Sequence, residues 1–427
     1  MKIAIVGSGI AGNVIASKLC ARHDIAIFER NPYVGGHTHT HRVETPVGPQ
    51  YIDSGFIVFN YRTYPNFTKL LSELGVQTQK SVMSFSVSCK STNFEYMGSI
   101  NNHGLLNLNA LFSQRRHLIS PSFWKLVSEI KRFNTSAKTF LKGDKDISTL
   151  RHFLDCEKFG NEFRRLYLIP MAASVWSAEH ERILDFPARS LFEFFNNHGL
   201  LNIRDRPTWH VIKGGSKKYV ESLTSAFKDQ IRLSTKVISI ERNESNVLIE
   251  TNKGKERFDY VFLACHSDEA LALLKDPSIA ESSILGAIKY KKNKAILHTD
   301  CNLMPSNKRA WAAWNYHMLK GEDGPVALTY NMNILQGLKG ETQYCVSLNS
   351  ESTINPSLII KQMEYSHPVF TSESISAQNR AHELNGKRRT FYAGAYWGYG
   401  FHEDGVLSAL NAISSFHTSS RVFKRAS

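Results

Sequence analysis

The sequence lacks any apolar run that approaches the roughly 18 residues a helix needs to cross a bilayer. It has only six cysteines, scattered without a Cys-x-x-Cys pair, and no cysteine and histidine cluster with zinc spacing. It also has no internal repeat and no low-complexity tract. These absences argue against membrane-spanning, disulfide-stapled, zinc-ribbon and repeat proteins. Free thiols in a reducing cytoplasm are the simple interpretation.

Acidic residues are scarce beside basic ones, 38 against 52, so the net charge is +14. No nucleic-acid-binding motif or aromatic-spaced basic stripe is present, and nucleic acid is not expected as a partner. The charge fits a solvated basic surface. It also fits attraction to an anionic membrane, where each Lys or Arg near the lipid contributes about 1 kcal/mol. We expect a cytoplasmic protein without a signal peptide, with peripheral association at the inner membrane surface as the alternative.

The first 29 residues carry a nucleotide-binding pattern. Apolar runs at 2–6 and 25–28 have the length of buried parallel strands, and the second ends in Glu29. Between them lies the glycine turn Gly7-Ser8-Gly9-Ile10-Ala11-Gly12. Gly7 allows the tight turn, Gly9 lets the backbone approach a diphosphate, and Gly12 lets the helix pack close to the strand. The helix start would face the phosphates, and the Glu29 carboxylate would accept hydrogen bonds from ribose hydroxyls.

Two further segments extend this pattern. Arg30 is followed by a paired-glycine turn, Gly35-Gly36-His37, which a site for a nicotinamide cofactor alone leaves unexplained. Near the C-terminus, a strand-like run at 391–396 leads through glycines at 398–405 into a helix-like stretch at 406–416. Together these segments resemble the flavin amine oxidase-like superfamily, whose cofactor is FAD. The family usually has an arginine where this chain has His37, which leaves open what meets that phosphate.

The resemblance implies contacts with FAD residue by residue. A strand at 259–265 would return to the cofactor domain, and Val237 would bracket the adenine through its backbone. The C-terminal turn and helix start would face the diphosphate, the ribityl chain and the flavin ring, and Glu403 would cap the following helix or bind the ribityl hydroxyls. The residues expected to bind FAD are Gly7, Gly9, Ile10, Ala11, Gly12, Glu29, Arg30, Gly35, Gly36, His37, Gly55, Phe56, Val237, Ala264, Gly394, Glu403, Asp404, Gly405 and Val406.

Segments at 53–60, 197–201, 213–216 and 400–405 resemble one branch of this superfamily, and the match runs from Met1 to about Phe416. The branch comprises bacterial FAD/NAD-binding proteins often encoded beside cyclopropane fatty acid synthases. Polyunsaturated fatty acid double-bond isomerases are its relatives. The resemblance implies an unsaturated or methyl-branched fatty acyl substrate, with a lipid methyltransferase as a functional partner.

A chain of 427 residues exceeds the usual size of one core, so we expect two interleaved domains. The expected fold is α/β: a Rossmann-like FAD-binding domain of amine oxidase-like type, interleaved with a mixed-sheet substrate domain and a helical subdomain. The FAD-binding domain would comprise residues 1–75, 205–270 and 385–427. The substrate domain would comprise residues 76–204 and 271–384, with a helical part at about 108–200.

Three residues are candidates for a role in the chemistry. Phe401 falls where amine oxidases have a tyrosine of their aromatic cage, and a ring without a hydroxyl suits a hydrocarbon; otherwise it is plain core. His402 would act as an acid or base, or would hold the turn by a structural hydrogen bond. Lys294 aligns with the lysine that reaches flavin N5 through a water in amine oxidases, although a solvated side chain also fits its lysine-rich surroundings.

Other residues leave alternatives open. Each of five tryptophans fits either an apolar acyl pocket or ordinary core: Trp176, Trp209, Trp311, Trp314 and Trp397. His37, His39 and His41 share one face of a strand, but no acid or cysteine completes a ligand shell, so no metal is expected. Covalent attachment of the flavin to one of these histidines stays open.

The function that agrees best with these patterns is an FAD-dependent oxidoreductase. It would desaturate, saturate or isomerise an acyl chain by hydride transfer to the flavin. Two alternatives stay open: a flavin amine oxidase, and a non-catalytic flavin-binding partner of a lipid-modifying enzyme.

The glycine turn generates a first prediction. The purified protein is expected to be yellow and to hold FAD tightly. Gly9→Val should remove the FAD, because a branched Cβ would occupy the space that the diphosphate needs. Flavin content per protein, measured by absorbance and chromatography after release, checks this. Full flavin content in Gly9→Val, or FMN in place of FAD, would contradict the assignment.

Overall fold

A computed structural model describes residues 1–46, 48–98, 113–143, 149–176, 183–202, 205–318 and 326–426. Parts of the predicted helical region, at 108–112, 144–148 and 177–182, lie outside the described residues, as do the predicted strand residues 99–104.

The strands of the described residues fall into five sheets. In chain order they are β1 (Lys2–Val6), β2 (Asp24–Phe28), β3 (Thr40–Val43), β4 (Gln50–Asp53), β5 (Phe59–Asn60), β6 (Thr78–Lys80), β7 (Phe85–Cys89), β8 (Phe94–Gly98), β9 (Trp209–Ile212), β10 (Ile231–Arg232), β11 (Val237–Arg242), β12 (Val247–Thr251), β13 (Gly254–Phe258), β14 (Tyr260–Leu263), β15 (Lys289–His298), β16 (Trp314–Met318), β17 (Val326–Asn331), β18 (Cys345–Leu348), β19 (Ile359–Val369) and β20 (Thr390–Tyr392).

The α-helices vary from single turns to the long C-terminal helix. They are α1 (Ile10–Leu19), α2 (Pro65–Glu73), α3 (Pro121–Lys142), α4 (Leu150–Cys156), α5 (Asn161–Phe163), α6 (Ile169–Trp176), α7 (Ala188–Asn197), α8 (Lys217–Thr224), α9 (Ser267–Leu273), α10 (Ile279–Ala287), α11 (Met332–Gln336), α12 (Ser372–Asn379) and α13 (His402–Ala426). A π-helical turn, Arg164–Leu168, leads into α6.

A parallel sheet in the order β10-β2-β1-β14-β20 holds the cofactor side of the fold. Its central strands are buried on both faces, which explains their continuous apolar sequences. Val6 pairs with Leu263, so β1 and β14 end at the same edge of the sheet. The loops that follow these two strands are therefore brought side by side.

The second large sheet is mixed, in the order β19-β15-β18-β17-β16-β7-β8. At the end of this sheet that contains β7 and β16, side chains pack with helices α3 to α7 in a phenylalanine-rich core. Within this core the Phe153 and Phe192 rings are 4.7 Å apart, in an edge-to-face arrangement. The expected α/β fold, with a Rossmann-like sheet, a mixed sheet and a helical part, is confirmed. The domain boundaries stay a prediction.

Two segments that pointed to the lipid-associated branch meet in a buried polar joint. The Asp53 carboxylate accepts hydrogen bonds from Ser216 N at 2.9 Å and Ser216 Oγ at 2.7 Å. Gln336 Nε2 donates to the same carboxylate at 3.1 Å. Burial raises the pKa of Asp53 to about 6, and the hydrogen bonds from Thr40 and Ser216 oppose that rise. This joint ties β4 to the loop before α8.

All six cysteines are unpaired thiols. Among the helices of the described residues, none is both long and apolar enough to cross a bilayer.

Glu403, in the first turn of α13, binds the N-terminus of α2. Its carboxylate accepts hydrogen bonds from Asn66 N at 3.1 Å, Asn66 Nδ2 at 2.6 Å and Phe67 N at 2.9 Å. The N-cap residue of α2, Tyr64, provides no side-chain hydrogen bond of its own. A carboxylate at this position satisfies free helix N–H groups and complements the helix dipole. The start of α13 is thereby fixed to α2.

This contact predicts a loss of stability in Glu403→Gln. The amide keeps one acceptor oxygen but loses the charge, so the free energy of unfolding should fall by about 1 kcal/mol. The midpoint of urea unfolding, followed by circular dichroism, measures it. Glu73→Gln, at the other end of α2 in an exposed ion pair with Lys18, is the control and should shift little. Equal midpoints for Glu403→Gln and wild type would show that the contact contributes no stability.

Candidate functional site

In the turn between β1 and α1, backbone packs directly against backbone. Gly7 has a φ of +103°, and a Cβ there would come within 2.7 Å of the Ala264 carbonyl oxygen. A Cβ at Gly12 would collide with the Gly7 carbonyl oxygen. At Gly9, by contrast, a Cβ would meet no atom within 4 Å. Gly7 and Gly12 thus let backbone segments pack closely against each other, whereas Gly9 faces open space.

Glu29 is held beside this turn, immediately after β2. Its Oε2 accepts hydrogen bonds from Ser8 N at 3.0 Å and Ser8 Oγ at 2.7 Å. Its Oε1 accepts from Asn31 N at 2.8 Å. The carboxylate is buried in the protein and lies in the wall of the cavity described next.

The paired glycines touch the first turn. Gly35 N donates to the Ser8 carbonyl oxygen at 3.0 Å. Gly36, with a φ of +59°, comes so close that a Cβ would lie 3.2 Å from Gly9 Cα. A Cβ at Gly55 would collide with the His37 carbonyl oxygen, and Phe56 N donates to that oxygen at 2.8 Å. The paired-glycine loop and the end of β14 therefore pack against the glycine turn, and the segment at Gly55 packs against the paired-glycine loop.

A cavity of about 780 Å³ opens from these loops. We call its first part the dinucleotide groove. It contains most of the residues predicted to bind FAD: Gly7, Gly9, Ile10, Ala11, Glu29, Arg30, Gly35, Gly36, His37, Gly55, Phe56, Val237, Ala264 and Gly394.

The second part of the cavity, which we call the aromatic chamber, lies between the mixed sheet, the helical part and the turn before α13. Its lining residues are Met83, Phe85, Tyr96, Tyr167, Met171, Val175, Trp176, Phe194, His198, Leu200, Arg206, Trp209, Trp314, Tyr330, Phe370, Tyr399 and Phe401. Most of them belong to the phenylalanine-rich core or pack against it.

Phe401 lies where the groove and the chamber meet. Its ring stacks on Phe194 at 5.2 Å between centroids, and the His198 ring is 5.9 Å away. It packs against the core of the parallel sheet as well as the phenylalanine-rich core. Phe401 is thus both a core residue and part of the cavity wall, which combines the two alternatives that the sequence left open.

His402 also reaches the cavity wall but is occupied by the protein. Its Nε2 lies 2.9 Å from both Thr38 Oγ1 and Tyr219 OH, and its ring stacks on Phe56 at 3.6 Å. Burial lowers the pKa of His402 to about 3, so the ring is neutral at pH 7. These contacts favour the structural alternative, in which His402 holds the turn, over proton donation.

Lys294 is not brought to the cavity. It lies on β15 with its ammonium group paired to Glu351 at 2.8 Å and its side chain 61% exposed. The solvated alternative therefore applies to Lys294, and the residue of β15 that does line the cavity is Tyr290.

Five residues predicted to bind FAD serve the protein itself and do not line the cavity. Gly12 packs against Gly7, and Glu403 caps α2. Asp404 Oδ2 accepts hydrogen bonds from Tyr399 N at 3.1 Å and Phe401 N at 2.9 Å, which closes the turn before α13. Gly405 gives room to Ile10, and Val406 is core. In this structure these residues support the fold around the cavity, and their binding to FAD stays a prediction.

The tryptophans divide between the two alternatives. Trp176, Trp209 and Trp314 line the chamber, as the pocket hypothesis requires. Trp311 instead donates to the Pro305 carbonyl oxygen at 2.8 Å, and Trp397 packs against core residues near Tyr396.

The neighbouring histidines are engaged within the fold. His39 Nδ1 lies 3.2 Å from Tyr365 OH, and His41 Nε2 lies 2.8 Å from Ser54 Oγ. Among the residues that the structure describes, no three His, Cys, Asp or Glu side chains are arranged to hold a metal ion.

Sequence reasoning missed several cavity residues, among them His266, His367 and Arg206. His266 directly follows the strand that had been assigned to the cofactor, so its position was a usable signal. His367 and Arg206 reach the cavity only through the pairing of β19 and the loop after α7, which no local pattern indicates.

The groove fits FAD on structural grounds. The open space at Gly9 is where a backbone-cradled diphosphate belongs, at the start of α1. The Glu29 carboxylate lies beside it, and the cavity continues from there to the aromatic chamber. A dinucleotide would place one end near Glu29 and Val237 and the other near Phe401.

Solved structures resemble the whole chain. Cyclohexylamine oxidase from Brevibacterium oxydans IH-35A is 14% identical, with a TM-score of 0.68 over 99% of both chains. A CLA-producing fatty acid isomerase from P. acnes is 14% identical, with a TM-score of 0.65 over 97% of this chain and 98% of that one. These likenesses establish the fold. A search of proteins with curated functions finds no relative.

The sequence itself carries the family assignment. Residues 10–339 match the family described as flavin-containing amine oxidoreductase. The match covers most of the chain and includes the end of the glycine turn from Ile10, the paired glycines and Val237. The protein therefore belongs to the flavin-containing amine oxidoreductase family and is an FAD-dependent oxidoreductase.

Proposed function

We propose that this FAD-dependent oxidoreductase acts on an unsaturated or methyl-branched fatty acyl chain bound in the aromatic chamber. The observation that carries the proposal is the charge of the chamber wall. Among the described residues of the chamber wall defined above, Arg206 is the charged side chain, and Glu364, which lines the same cavity from β19, has its carboxylate paired with Lys292 at 3.0 Å. A cation repels the ammonium group of an amine and attracts the carboxylate of a fatty acid.

The shape and polarity of the wall support the same substrate. Trp176 and Phe194 rings lie 4.7 Å apart, and Phe194 continues to Phe401. Each methylene that an acyl chain buries against such a wall contributes about 0.8 kcal/mol. Phe401 offers no hydroxyl, so a hydrocarbon segment beside it leaves no polar group unpaired.

Arg206 lies at the solvent-exposed end of this wall. Its Nε donates to the Asn202 carbonyl oxygen at 2.7 Å. Burial raises the pKa of Tyr167, and the nearby Arg206 guanidinium opposes that rise. Arg206 and Tyr167 would together bind the carboxylate of a free fatty acid, while its acyl chain extends toward Phe401.

The protein's contribution to the chemistry is positioning and exclusion of water. FAD, when bound, accepts and returns hydride. The Asp404 carboxylate holds the turn that presents Phe401, and neutral His402 fixes Phe56 on the groove side. The aromatic walls keep water from the acyl segment, which suits a reaction at carbon.

Amine oxidation is the second candidate, because cyclohexylamine oxidase has the same fold and the family is named for amines. The fatty acid isomerase has that fold as well, so the fold favours neither substrate. The cation in the chamber wall supports the acyl chain.

Substrate-dependent bleaching of the flavin tests the proposal. An unsaturated fatty acid, mixed anaerobically, should bleach the flavin absorbance or emerge with a shifted double bond, whereas cyclohexylamine should do neither. Phe401→Tyr should slow the reaction roughly tenfold, since an unpaired buried hydroxyl costs about 1–3 kcal/mol. Phe94→Tyr, which packs against the same core outside the cavity, is the control. Bleaching by cyclohexylamine alone would establish an amine oxidase, and no reaction with either compound would favour a non-catalytic role.

Arg206 gives a separate prediction. Arg206→Gln should weaken binding of a free fatty acid roughly tenfold, because a hydrogen bond to a charged group contributes about 1.5–3 kcal/mol. Binding of the matching fatty alcohol should not change. Displacement of a fluorescent fatty acid measures both. Arg62→Gln, whose guanidinium instead pairs with Asp205 at 2.8 Å, is the control. An equal loss for acid and alcohol would rule out a carboxylate contact.

A further inference from the structure

One part of the surface, at the start of the helical part, combines large exposed apolar residues with cations. It lies where a 3₁₀ turn, Arg115–Ile119, leads through Ser120 into α3. Leu118, Ile119 and Trp124 are 48%, 86% and 48% exposed. We call these three residues the apolar tip. Exposed apolar groups that cluster in this way indicate a binding surface, because removing them from water is favourable.

The fold holds the apolar tip in a defined position. Trp124 Nε1 donates a hydrogen bond to the Leu118 carbonyl oxygen at 3.0 Å. Ser120 Oγ accepts a hydrogen bond from Phe123 N at 3.3 Å and so caps α3. The His117 ring, which is buried, stacks on Phe123 at 4.3 Å between centroids. The exposed residues are therefore presented by an ordered turn over packed aromatic rings.

Positive charge flanks the apolar tip. Arg115, Arg116 and Lys125 are all exposed. Residues 113–128 contain neither aspartate nor glutamate. Arg116 Nη2 donates to the Asn93 carbonyl oxygen, which is a neutral acceptor, so this contact leaves the guanidinium charge uncompensated.

A second segment of the chain adds cations to the same surface. Asn307 Nδ2 donates to the Ser113 carbonyl oxygen at 2.8 Å. This contact holds the next turn, Lys308–Ala310, beside the segment that carries the apolar tip. Lys308 and Arg309 are both exposed. Positive side chains from two distant parts of the sequence therefore lie on one surface.

The apolar tip lies on the outer side of the chamber wall. The Phe123 ring below the tip is 6.4 Å from the Tyr96 ring, measured between centroids. Tyr96 in turn lines the aromatic chamber. Phe123 and Tyr96 therefore connect the tip with the chamber, and a partner bound at the tip would lie next to the chamber wall.

We propose that the apolar tip and its flanking cations dock this protein on an anionic phospholipid bilayer. Leu118, Ile119 and the apolar part of Trp124 would enter the boundary between headgroups and acyl chains, while the cations bind lipid phosphates. The Glu95 carboxylate, on the neighbouring strand β8, is buried and does not put negative charge on this surface.

The size of the apolar tip favours lipid over a protein partner. A stable protein–protein interface involves about 20–30 residues on each side, whereas the tip comprises three apolar residues among cations. The net charge of +14 alone fits any anionic partner, and the exposed apolar residues are what select a bilayer. This inference goes beyond the proposed function, because docking does not depend on the substrate.

Sedimentation of the FAD-loaded full chain with vesicles tests the proposal. Wild type should bind vesicles of phosphatidylcholine mixed with phosphatidylglycerol at least tenfold more tightly than pure phosphatidylcholine vesicles, since each cation near anionic lipid contributes roughly fivefold in affinity. Ile119→Ser should lower the affinity for the mixed vesicles roughly tenfold, because it removes apolar surface that the lipid would bury. Ile279→Ser, at a residue that is 90% exposed at the start of α10, is the matched control and should bind as wild type does.

The contribution of the cations is measured in the same assay. Lys125→Gln should lower the affinity for mixed vesicles roughly fivefold, and added salt should weaken wild-type binding. Lys228→Gln removes an exposed cation from the turn before β10 and is the control, with an expected change below about twofold. Equal losses in the two lysine variants would show that binding follows the net charge alone, and would overturn the assignment of this surface.

Insertion of the apolar tip has a readout of its own. Bromine atoms on the lipid acyl chains quench a tryptophan that enters the bilayer, so wild-type fluorescence should fall when the protein binds brominated vesicles. Trp124→Phe should still bind but should lose most of this quenching. Binding of wild type without quenching would contradict insertion of the tip.

The remaining outcomes separate the other occupants. No binding of wild type to mixed vesicles, or equal binding of Ile119→Ser and wild type, would overturn the proposal. A dimer in sedimentation velocity that Ile119→Ser abolishes would assign the surface to a second copy of this chain instead. None of these readouts depends on turnover, so they are independent of the acyl-chain proposal.

Discussion

Backbone contact between the glycine turn, the end of β14 and the paired-glycine loop is the constraint on which the site depends. At Gly7 the Ala264 carbonyl leaves no space for a side chain, and at Gly36 the neighbour is Gly9 itself. Such approach requires glycine because a Cβ would force the segments apart. The parallel pairing of Val6 with Leu263 brings the segments together in the first place. When these segments are packed together, an open space remains at Gly9.

The start of α13 is a second organising point. His402, Glu403 and Asp404 are consecutive, and each side chain binds a different part of the protein. His402 reaches Thr38 and Tyr219, Glu403 reaches α2, and Asp404 closes the turn behind it. Burial raises the pKa of Asp404 to about 6, and hydrogen bonds from the turn oppose that rise. The contacts of these three side chains thus set the position of Phe401 between the groove and the chamber.

The cavity separates charge from apolar surface. Glu29, Arg30, His37 and His266 lie along the dinucleotide groove, whereas the chamber wall is mainly aromatic and aliphatic, with Arg206 as its charged side chain. The two parts belong to different cores, one under the parallel sheet and one among helices α3 to α7. Phe401 packs against both cores. The arrangement places a polar groove for an anionic cofactor next to an apolar chamber.

The local sequence determined the cofactor side of this protein. A buried strand, a glycine turn and an acid after the next strand are contiguous, and their spacing fixes their geometry wherever the fold places them. Gly7, Gly9 and Glu29 could therefore be assigned from the sequence alone. The C-terminal segment was only half assigned, because Gly394 and Phe401 reach the cavity while Glu403, Asp404, Gly405 and Val406 do not line it. Whether a polar residue of a turn binds a cofactor or the protein depends on its neighbours in space. Here the neighbours are α2 for Glu403 and the turn before α13 for Asp404.

Only the tertiary structure decided the rest. Lys294 was placed by alignment along β15, but in the structure its ammonium group pairs with Glu351 at the surface, whereas β19, the partner of β15, contributes His367 to the cavity. A shift of one residue on a strand exchanges its two faces, and sequence spacing cannot distinguish them. Arg206 and His266 became part of the site in the same way, through loops that long-range packing brought together. The sequence by itself determined which cofactor the chain binds, and packing between distant segments decided which side chains meet it.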